Sequence, residues 1–353
     1  MSVPLERYYR ILEGSELPLY ILLKDHRVSR ADCSHAEDPW AVHRREVASF
    51  REVLRGGLRK SQSTQSEGSL LTLKTELAKS MLERCEICEW RCGANRTGGK
   101  KGKCGVLVPR IPSEFLHLGE EPQLVPSYTV FFAGCNFRCV YCQNFDISTN
   151  PDAGAVISPA RMAEMIGHNS RGERQLGSQG LRERIASRAI NVNWVGGDPT
   201  PNIAYVFEVL ERSDSRLPQV WNSNMYLTER SMSLLDGVVD VYLTDFKYGN
   251  DACARRLSGV PDYVRVVSRN HLIAADQAEV IVRHLVLPNH VECCTIPVLD
   301  WISESLPTAL VNVMDQYRPV HRAYEHRDLS RVLSAKEFDK ALAHAESLGL
   351  HLV

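Results

Sequence analysis

Three thiols spaced by three and then two residues, Cys135, Cys139 and Cys142, sit in the segment Gly134-Cys135-Asn136-Phe137-Arg138-Cys139-Val140-Tyr141-Cys142, directly after the apolar run Thr129–Ala133. Cysteine thiolates hold iron–sulfur clusters, and a four-iron cube ordinarily takes four of them. A compact loop that offers three leaves one iron without a protein ligand. An open coordination position distinguishes a metal site that does chemistry from one that only holds a fold. A disulfide knot fits poorly, because such frameworks belong to small secreted domains and the chain opens MSVPLERYYR, without the apolar stretch of a signal peptide. Zinc ordinarily wants four ligands arranged as two pairs.

A second set lies upstream: Cys85, Cys88, Cys92 and Cys104. Four thiolates saturate one metal centre, either a [4Fe–4S] cube or tetrahedral zinc, and the spacing leaves both open. Gly93, Gly98, Gly99, Gly102 and Gly105 supply the tight turns that bend a chain around a metal. With iron the module would relay electrons; with zinc it would be structural. Arg84, Arg91, Arg96, Lys100, Lys101, Lys103 and Arg110 crowd the same stretch. They form either a solvated basic surface or a dock for an acidic electron donor such as reduced flavodoxin or ferredoxin. The remaining thiols, Cys33, Cys253, Cys293 and Cys294, read as buried small hydrophobes.

The elements that must carry these groups are legible from periodicity. Strands are predicted at Tyr128–Phe132, Asn191–Val195, Gln219–Asn222, Val239–Thr244, Glu279–Leu287 and Ala309–Met314, with helices at 159–166, 203–211, 229–235, 263–274 and 291–303 between them. A last helix, 335–348, starts at Ser334 with Glu337 three positions on and stops at Gly349. Alternating βα units imply a parallel sheet with right-handed crossovers. Upstream, a helix is predicted over 40–58, and Leu70, Leu73, Leu77 and Met81 recur at helical spacing. The division that follows is an N-terminal helical region (1–60), a polar linker (61–69), a cysteine-rich metal-binding module (70–125) and the βα region (126–353).

CxxxCxxC with an aromatic before the last cysteine, at the end of an early strand, resembles the signature of the radical S-adenosylmethionine (SAM) superfamily. The resemblance covers roughly residues 81–350. It is nearest to the branch similar to pyruvate formate-lyase-activating enzyme, and there to uncharacterised members with an extra upstream cysteine cluster. It implies an α/β fold, a partial (β/α)6 barrel with a small N-terminal helical and cysteine-rich module. It also implies that SAM chelates the open iron and is split by one electron into methionine and a 5′-deoxyadenosyl radical, which takes hydrogen from a substrate. A glycyl-radical enzyme, another peptide or a small molecule all qualify as that substrate. Covering the barrel mouth with the N-terminal module would keep water from the radical.

In that frame each strand end acquires an expected role. Tyr141 flanks the adenine. Gly196, Gly197 and Asp198 stand where the family has Gly-Gly-Glu and take the methionine amino group, although Gly-Gly-Asp-Pro alone is an ordinary turn. Asn222 and Asn224 meet the ribose or carboxylate. Asp245 and Lys247 share one strand face, since side chains alternate with period two, and either contact SAM or form a plain ion pair. Arg283 begins a buried-looking run where a lone cation is costly, so it meets SAM's carboxylate or a neighbouring acid. His284 reads as a packed or surface histidine rather than a ligand. At the sixth strand end, Met314-Asp315-Gln316 departs from the histidine-containing end of true pyruvate formate-lyase activators.

A formal net charge of −1 argues against nucleic acid as a partner, and no apolar stretch approaches the ~18 residues that span a bilayer. Unpaired thiols fit a reducing, cytoplasmic setting. The rival reading is a non-catalytic iron–sulfur or zinc protein serving as carrier or scaffold, which would need neither Gly-Gly-Asp nor a lysine at a pocket mouth.

Overall fold

Val, Ile and aromatic runs bounded by turn residues become the strands of one large sheet, and they carry the site at their C-terminal ends. A computed structural model describes residues 4–28, 38–56, 68–171 and 188–353. Its strands are β1 (Arg27–Val28), β2 (Gly68–Ser69), β3 (Ser113–His117), β4 (Ser127–Phe132), β5 (Asn191–Gly196), β6 (Gln219–Ser223), β7 (Val241–Asp245), β8 (Glu279–Leu285), β9 (Leu310–Met314) and β10 (His351–Leu352).

The main sheet has eight strands in the order β10-β9-β8-β7-β6-β5-β4-β3. From β4 to β9 every neighbour is parallel, which gives the six-stranded partial barrel expected from the βα alternation. Two strands were not expected. β3 adds antiparallel to β4, and β10 adds two parallel residues beside β9. β6 is buried along its whole length, as a strand covered on both faces should be. The helix Ile203–Arg212 shows how the crossovers pay their packing debt: Ile203, Val206, Phe207, Val209 and Leu210 all go into the core.

The first helix closes the barrel at the end opposite the site, so this part of the N-terminal module does not cover the mouth. Leu5 and Tyr8 pack among Val220, Val241, Leu243, Ile281 and Leu310. The Tyr8 hydroxyl accepts from Asn191 Nδ2 (2.9 Å), and Arg7 Nη1 donates to Asp240 (2.8 Å), both at strand starts. The helix Pro39–Leu54 is capped by the Asp38 carboxylate on Trp40 N, with proline in its first turn, where a missing N–H costs nothing. The helix Leu70–Ser80 is capped by Ser69, and both helices feed the main core through Val42, Phe50, Leu71 and Leu77. Of the expected linker, Gly68 and Ser69 form β2 against β1, while residues 61–67 lie outside the described residues. The C-terminal helix Ala335–Ser347 has the expected Ser334–Glu337 capping box.

The helix expected over 291–303 is divided. A π-helical turn, Val291–Thr295, precedes the α-helix Ile296–Ser305. Pro297 has no N–H to give the Cys293 carbonyl, and Asn250 Nδ2 bonds that carbonyl instead (2.8 Å). Among the described residues no helix is long and apolar enough to cross a membrane.

Candidate functional site

The strand ends and the cysteine loop enclose one cavity of about 950 Å³, open mouth included. Its walls include Cys135, Cys139, Tyr141, Cys142, Gly196, Gly197, Asp198, Asn222, Asn224, Asp245, Lys247 and Arg283. Every SAM-pocket and three-cysteine residue expected from the sequence therefore meets in one place, although they span five strand ends.

The loop Gly134–Cys142 is held by its own backbone and by the helix Asp251–Ser258. Val140 N donates to Leu257 O (2.8 Å) and Arg138 N to Ser258 O (3.0 Å). Ser258 Oγ donates to Cys139 Sγ (2.9 Å), Phe137 N to Cys135 Sγ (3.3 Å), and Cys142 Sγ lies 3.3 Å from Ser148 Oγ. Tyr141 turns its hydroxyl to Tyr248 (2.7 Å), whose own hydroxyl reaches Ser258 (2.6 Å). Burial pushes the Cys135 thiol well up and the Cys139 thiol up to about 11. Thiolates in such a place call for a positive partner, which a metal centre provides.

The two glycines of Gly-Gly-Asp are required by the chain itself. Gly196 has φ +123°, and a Cβ there would lie 2.1 Å from Phe132 N. A Cβ on Gly197 would lie 2.1 Å from Gly134 O. The absent side chains let the β5 end seat directly on the cysteine loop, with Gly197 N donating to Phe132 O (2.8 Å) and Asp198 N to Gly134 O (3.2 Å). The Asp198 carboxylate is buried and accepts from Thr200 N (2.9 Å), Asn224 N (2.9 Å) and Ser223 Oγ (3.2 Å). Burial raises its pKa against the lowering by those donors. Asn224 Nδ2 donates to Asn136 Oδ1 (2.7 Å), so its amide braces the cysteine loop.

Asp245, Lys247 and Arg283 form one charged network. Lys247 Nζ lies 2.7 Å from Asp245 Oδ2, and Arg283 lies 3.1 Å from Asp245 Oδ1. Burial alone would raise the Asp245 carboxyl, but Lys247 and Arg283 outweigh it and hold the group below its ordinary range. Arg283 also donates to Asn222 Oδ1 (2.5 Å) and pairs with Glu120 (3.4 Å). Glu120 was not picked from the sequence: it follows β3, an edge strand with no clear alternation. Gln143, Met314 and Gln316 also line the cavity, with no ligand contact expected for them from the sequence. His284 is packed as expected, between Phe246 O (2.7 Å) and Thr295 Oγ1 (2.9 Å), and burial lowers its pKa to about 4.

The upstream cysteines lie beside this site. Cys88 pairs with Leu227, just past β6, in an isolated bridge, and Trp90 Nε1 donates to Asn136 O (2.8 Å). Arg138 Nη2 donates to Lys103 O (3.0 Å), next to Cys104. The basic surface is smaller than its sequence implies. Arg96 is buried and bonds Pro201 O (2.7 Å), Lys101 pairs with Asp152 (2.6 Å), and Lys103 sits 4.5 Å over the Trp90 ring.

The reading of the other thiols as buried hydrophobes needs correction. Cys294 is buried, but Cys253 is half-buried and Cys293 exposed, and all three converge on His290. Cys33 lies outside the described residues.

The radical SAM superfamily profile matches residues 129–302. The uncharacterized protein MJ0674 of Methanocaldococcus jannaschii is 48% identical over 291 residues, covering 81% of this chain and 81% of that protein. The chain belongs to the radical SAM superfamily. Among solved structures, SuiB of Streptococcus suis bound to S-adenosylmethionine has a TM-score of 0.45 at 11% identity, over 89% of this chain. The match takes in 61% of SuiB, so the chain spans about three-fifths of that protein's length. Methylornithine synthase (PylB) has a TM-score of 0.41 at 13% identity, over 98% of this chain and 84% of that one.

Membership implies a [4Fe–4S] cluster and SAM, and the residues present fit both. Three thiols face the cavity from one loop. Asn222 Nδ2 is buried in the cavity wall with no partner among the described residues, an amide donor available to a polar ligand.

Proposed function

We propose that this protein is a radical SAM enzyme in which Cys135, Cys139 and Cys142 hold a [4Fe–4S] cluster and the strand ends of β5 to β8 bind SAM. When bound, the cluster supplies the electron that splits SAM into methionine and a 5′-deoxyadenosyl radical, which takes hydrogen from a protein or small-molecule substrate. The convergence of the three thiols with Asp198, Asn222, Asp245, Lys247 and Arg283 on one cavity carries the reading.

The chain's own part is to bind and orient. Asp198 accepts the ammonium of the methionine moiety through the lone pairs its three protein donors leave free, since a carboxylate accepts about four hydrogen bonds. Asn222 Nδ2 donates to a ligand oxygen. Lys247 and Arg283 hold the ligand carboxylate while keeping their own pairing with Asp245. Gly196 and Gly197 fix the β5 end against the loop, and the backbone beside Tyr141 borders the adenine. The resemblance to activating enzymes extends the proposal to a glycyl-radical enzyme as one class of substrate.

For Cys85, Cys88, Cys92 and Cys104 we assign a second [4Fe–4S] cluster that passes electrons inward, with reduced flavodoxin or ferredoxin as donor. Contacts between the modules at Trp90–Asn136 and Arg138–Lys103 support the route.

Anaerobically reconstituted protein incubated with SAM and dithionite is expected to release 5′-deoxyadenosine. A yield no higher than the no-protein control would defeat the proposal and favour a non-catalytic iron–sulfur carrier.

A further inference from the structure

We propose that Cys253, His290, Cys293 and Cys294 form a tetrahedral zinc site, separate from both cysteine clusters, that clamps the helix backing the cysteine loop. The four ligand atoms lie within 4.8 Å of one another, and among the described residues no other set of three or more such donors does. His290 Nδ1 is 3.2 Å from Cys293 Sγ, 3.6 Å from Cys253 Sγ and 4.0 Å from Cys294 Sγ. Cys293 Sγ is 4.0 Å from Cys253 Sγ and 3.9 Å from Cys294 Sγ. A tetrahedral ion with Zn–S of about 2.3 Å and Zn–N of about 2.0–2.1 Å separates its ligand atoms by about 3.5–3.8 Å. The observed spacings bracket that range. Three thiolates and an imidazole are also a donor set that selects zinc over the oxygen-seeking cations.

The surroundings fit a ligand sphere. His290 Nε2 lies 2.9 Å from Asp328 Oδ2, the carboxylate contact that orients metal-bound histidines and leaves Nδ1 free for the metal. Arg256 lies 3.2 Å from the same nitrogen and is itself bound to Asp328. As a donor-only group it cannot accept the Nε2 proton, so Asp328 does. Asn250 Nδ2 approaches Cys294 Sγ (3.8 Å). The π-helical turn at 291–295 is what presents adjacent Cys293 and Cys294 to one point, and such turns recur at functional sites.

The position gives the site a task. Cys253 is in the first turn of the helix Asp251–Ser258, whose other end holds the cysteine loop through Leu257 O, Ser258 O and the Ser258 hydroxyl. Zinc would fasten that helix to the turn after β8 and, through Asp328, to the C-terminal segment. Binding displaces the three thiol protons and involves no redox change. The proposal stands apart from the SAM reading.

Full-length protein is expected to lose one equivalent of zinc, by elemental analysis, in Cys293→Ser and again in His290→Gln, while Cys88→Ser leaves that equivalent in place. In the wild-type protein, alkylation of the exposed Cys293 is expected to be slow with zinc and severalfold faster after chelation. Unchanged zinc in both variants would overturn the site. If the variants do not fold, equal Cys293 alkylation before and after chelation overturns it, as does a Cys253–Cys293 disulfide in unreduced peptide maps.

Discussion

Replacing Asp198 tests whether its carboxylate holds the site together as well as binding a ligand. Alanine there removes the acceptor for Thr200 N, Asn224 N and Ser223 Oγ. The hydroxyl can turn to Thr200 Oγ1, 3.3 Å away, but the two backbone donors have no such recourse. Each unsatisfied buried donor costs about 1–3 kcal/mol, so Asp198→Ala should destabilise the protein by about 4 kcal/mol. Asparagine keeps one acceptor oxygen and loses one of the two N–H bonds, which places Asp198→Asn near 2 kcal/mol. Domains of ordinary stability have about 5–15 kcal/mol in total, so both changes are measurable without abolishing folding. Urea titration of the metal-free chain, followed by circular dichroism, gives both values. An alanine variant within about 1 kcal/mol of wild type would refute the accounting. So would an asparagine variant as damaged as alanine, since charge rather than hydrogen bonding would then matter. Calorimetry on the reconstituted protein separates the second role. Asp198→Asn should weaken SAM binding by about tenfold or more, equivalent to about 1.4 kcal/mol, and unchanged affinity would make Asp198 purely architectural.

Single Cys135→Ala, Cys139→Ala and Cys142→Ala variants should each abolish 5′-deoxyadenosine release, because a cube with two remaining thiolates is labile; near-normal turnover in any one would remove that residue from the cluster. Fully reconstituted protein should carry roughly eight irons and the Cys135/Cys139/Cys142 triple variant about four, whereas a triple variant without iron would return the upstream module to a structural role. Gly197→Ala should cost about 3 kcal/mol, the upper end of overpacking penalties, and lower iron loading, because its Cβ would meet Gly134 O at 2.1 Å; iron content equal to wild type would show that the loop yields easily. Glu337 is held below its ordinary range by Arg331 and the Ser334 cap. A depressed carboxylate contributes stability above its unfolded pKa of about 4.3 and loses it as pH falls through the folded value. Glu337→Gln should therefore flatten the acid limb of the stability curve and leave the fall-off above pH 7 unchanged.

The fold was legible where periodicity was strong. The parallel strands declared themselves through buried runs, and the Ser334–Glu337 cap located the last helix. β3 was not, because Ser113-Glu114-Phe115-Leu116-His117 is a half-exposed edge strand whose apolar positions do not alternate. Glu120, which depends on that strand for its place against Arg283, was lost with it. β7 began two residues later than expected because Val238 and Val239 close the preceding helix on Leu235 O. The cavity residues were found by type and by position at strand ends, yet their partners were not. That Gly197 meets Gly134, or Asn224 meets Asn136, is a matter of how strand ends converge, which no local window contains. The same holds for Cys253 and Cys293, forty residues apart and joined only by the turn after β8.

The charges of the cavity, taken together, discriminate among ligands. Lys247 and Arg283 stand against Asp198 and Asp245, two groups of each sign, and Glu120 joins from outside the lining through Arg283. Burial pushes the Glu120 carboxyl up, and the pull of Arg283 only partly offsets it. A site whose charges balance favours a ligand that sets an opposite charge against each of them, since opposite charges attract more strongly where water does not screen them. On the proposed reading SAM meets that condition through its ammonium and sulfonium on one side and its carboxylate on the other, and the sulfonium is the group whose loss accompanies cleavage. After cleavage the sulfonium charge is gone while the ammonium and carboxylate contacts remain, so only part of the attraction that held the ligand falls away.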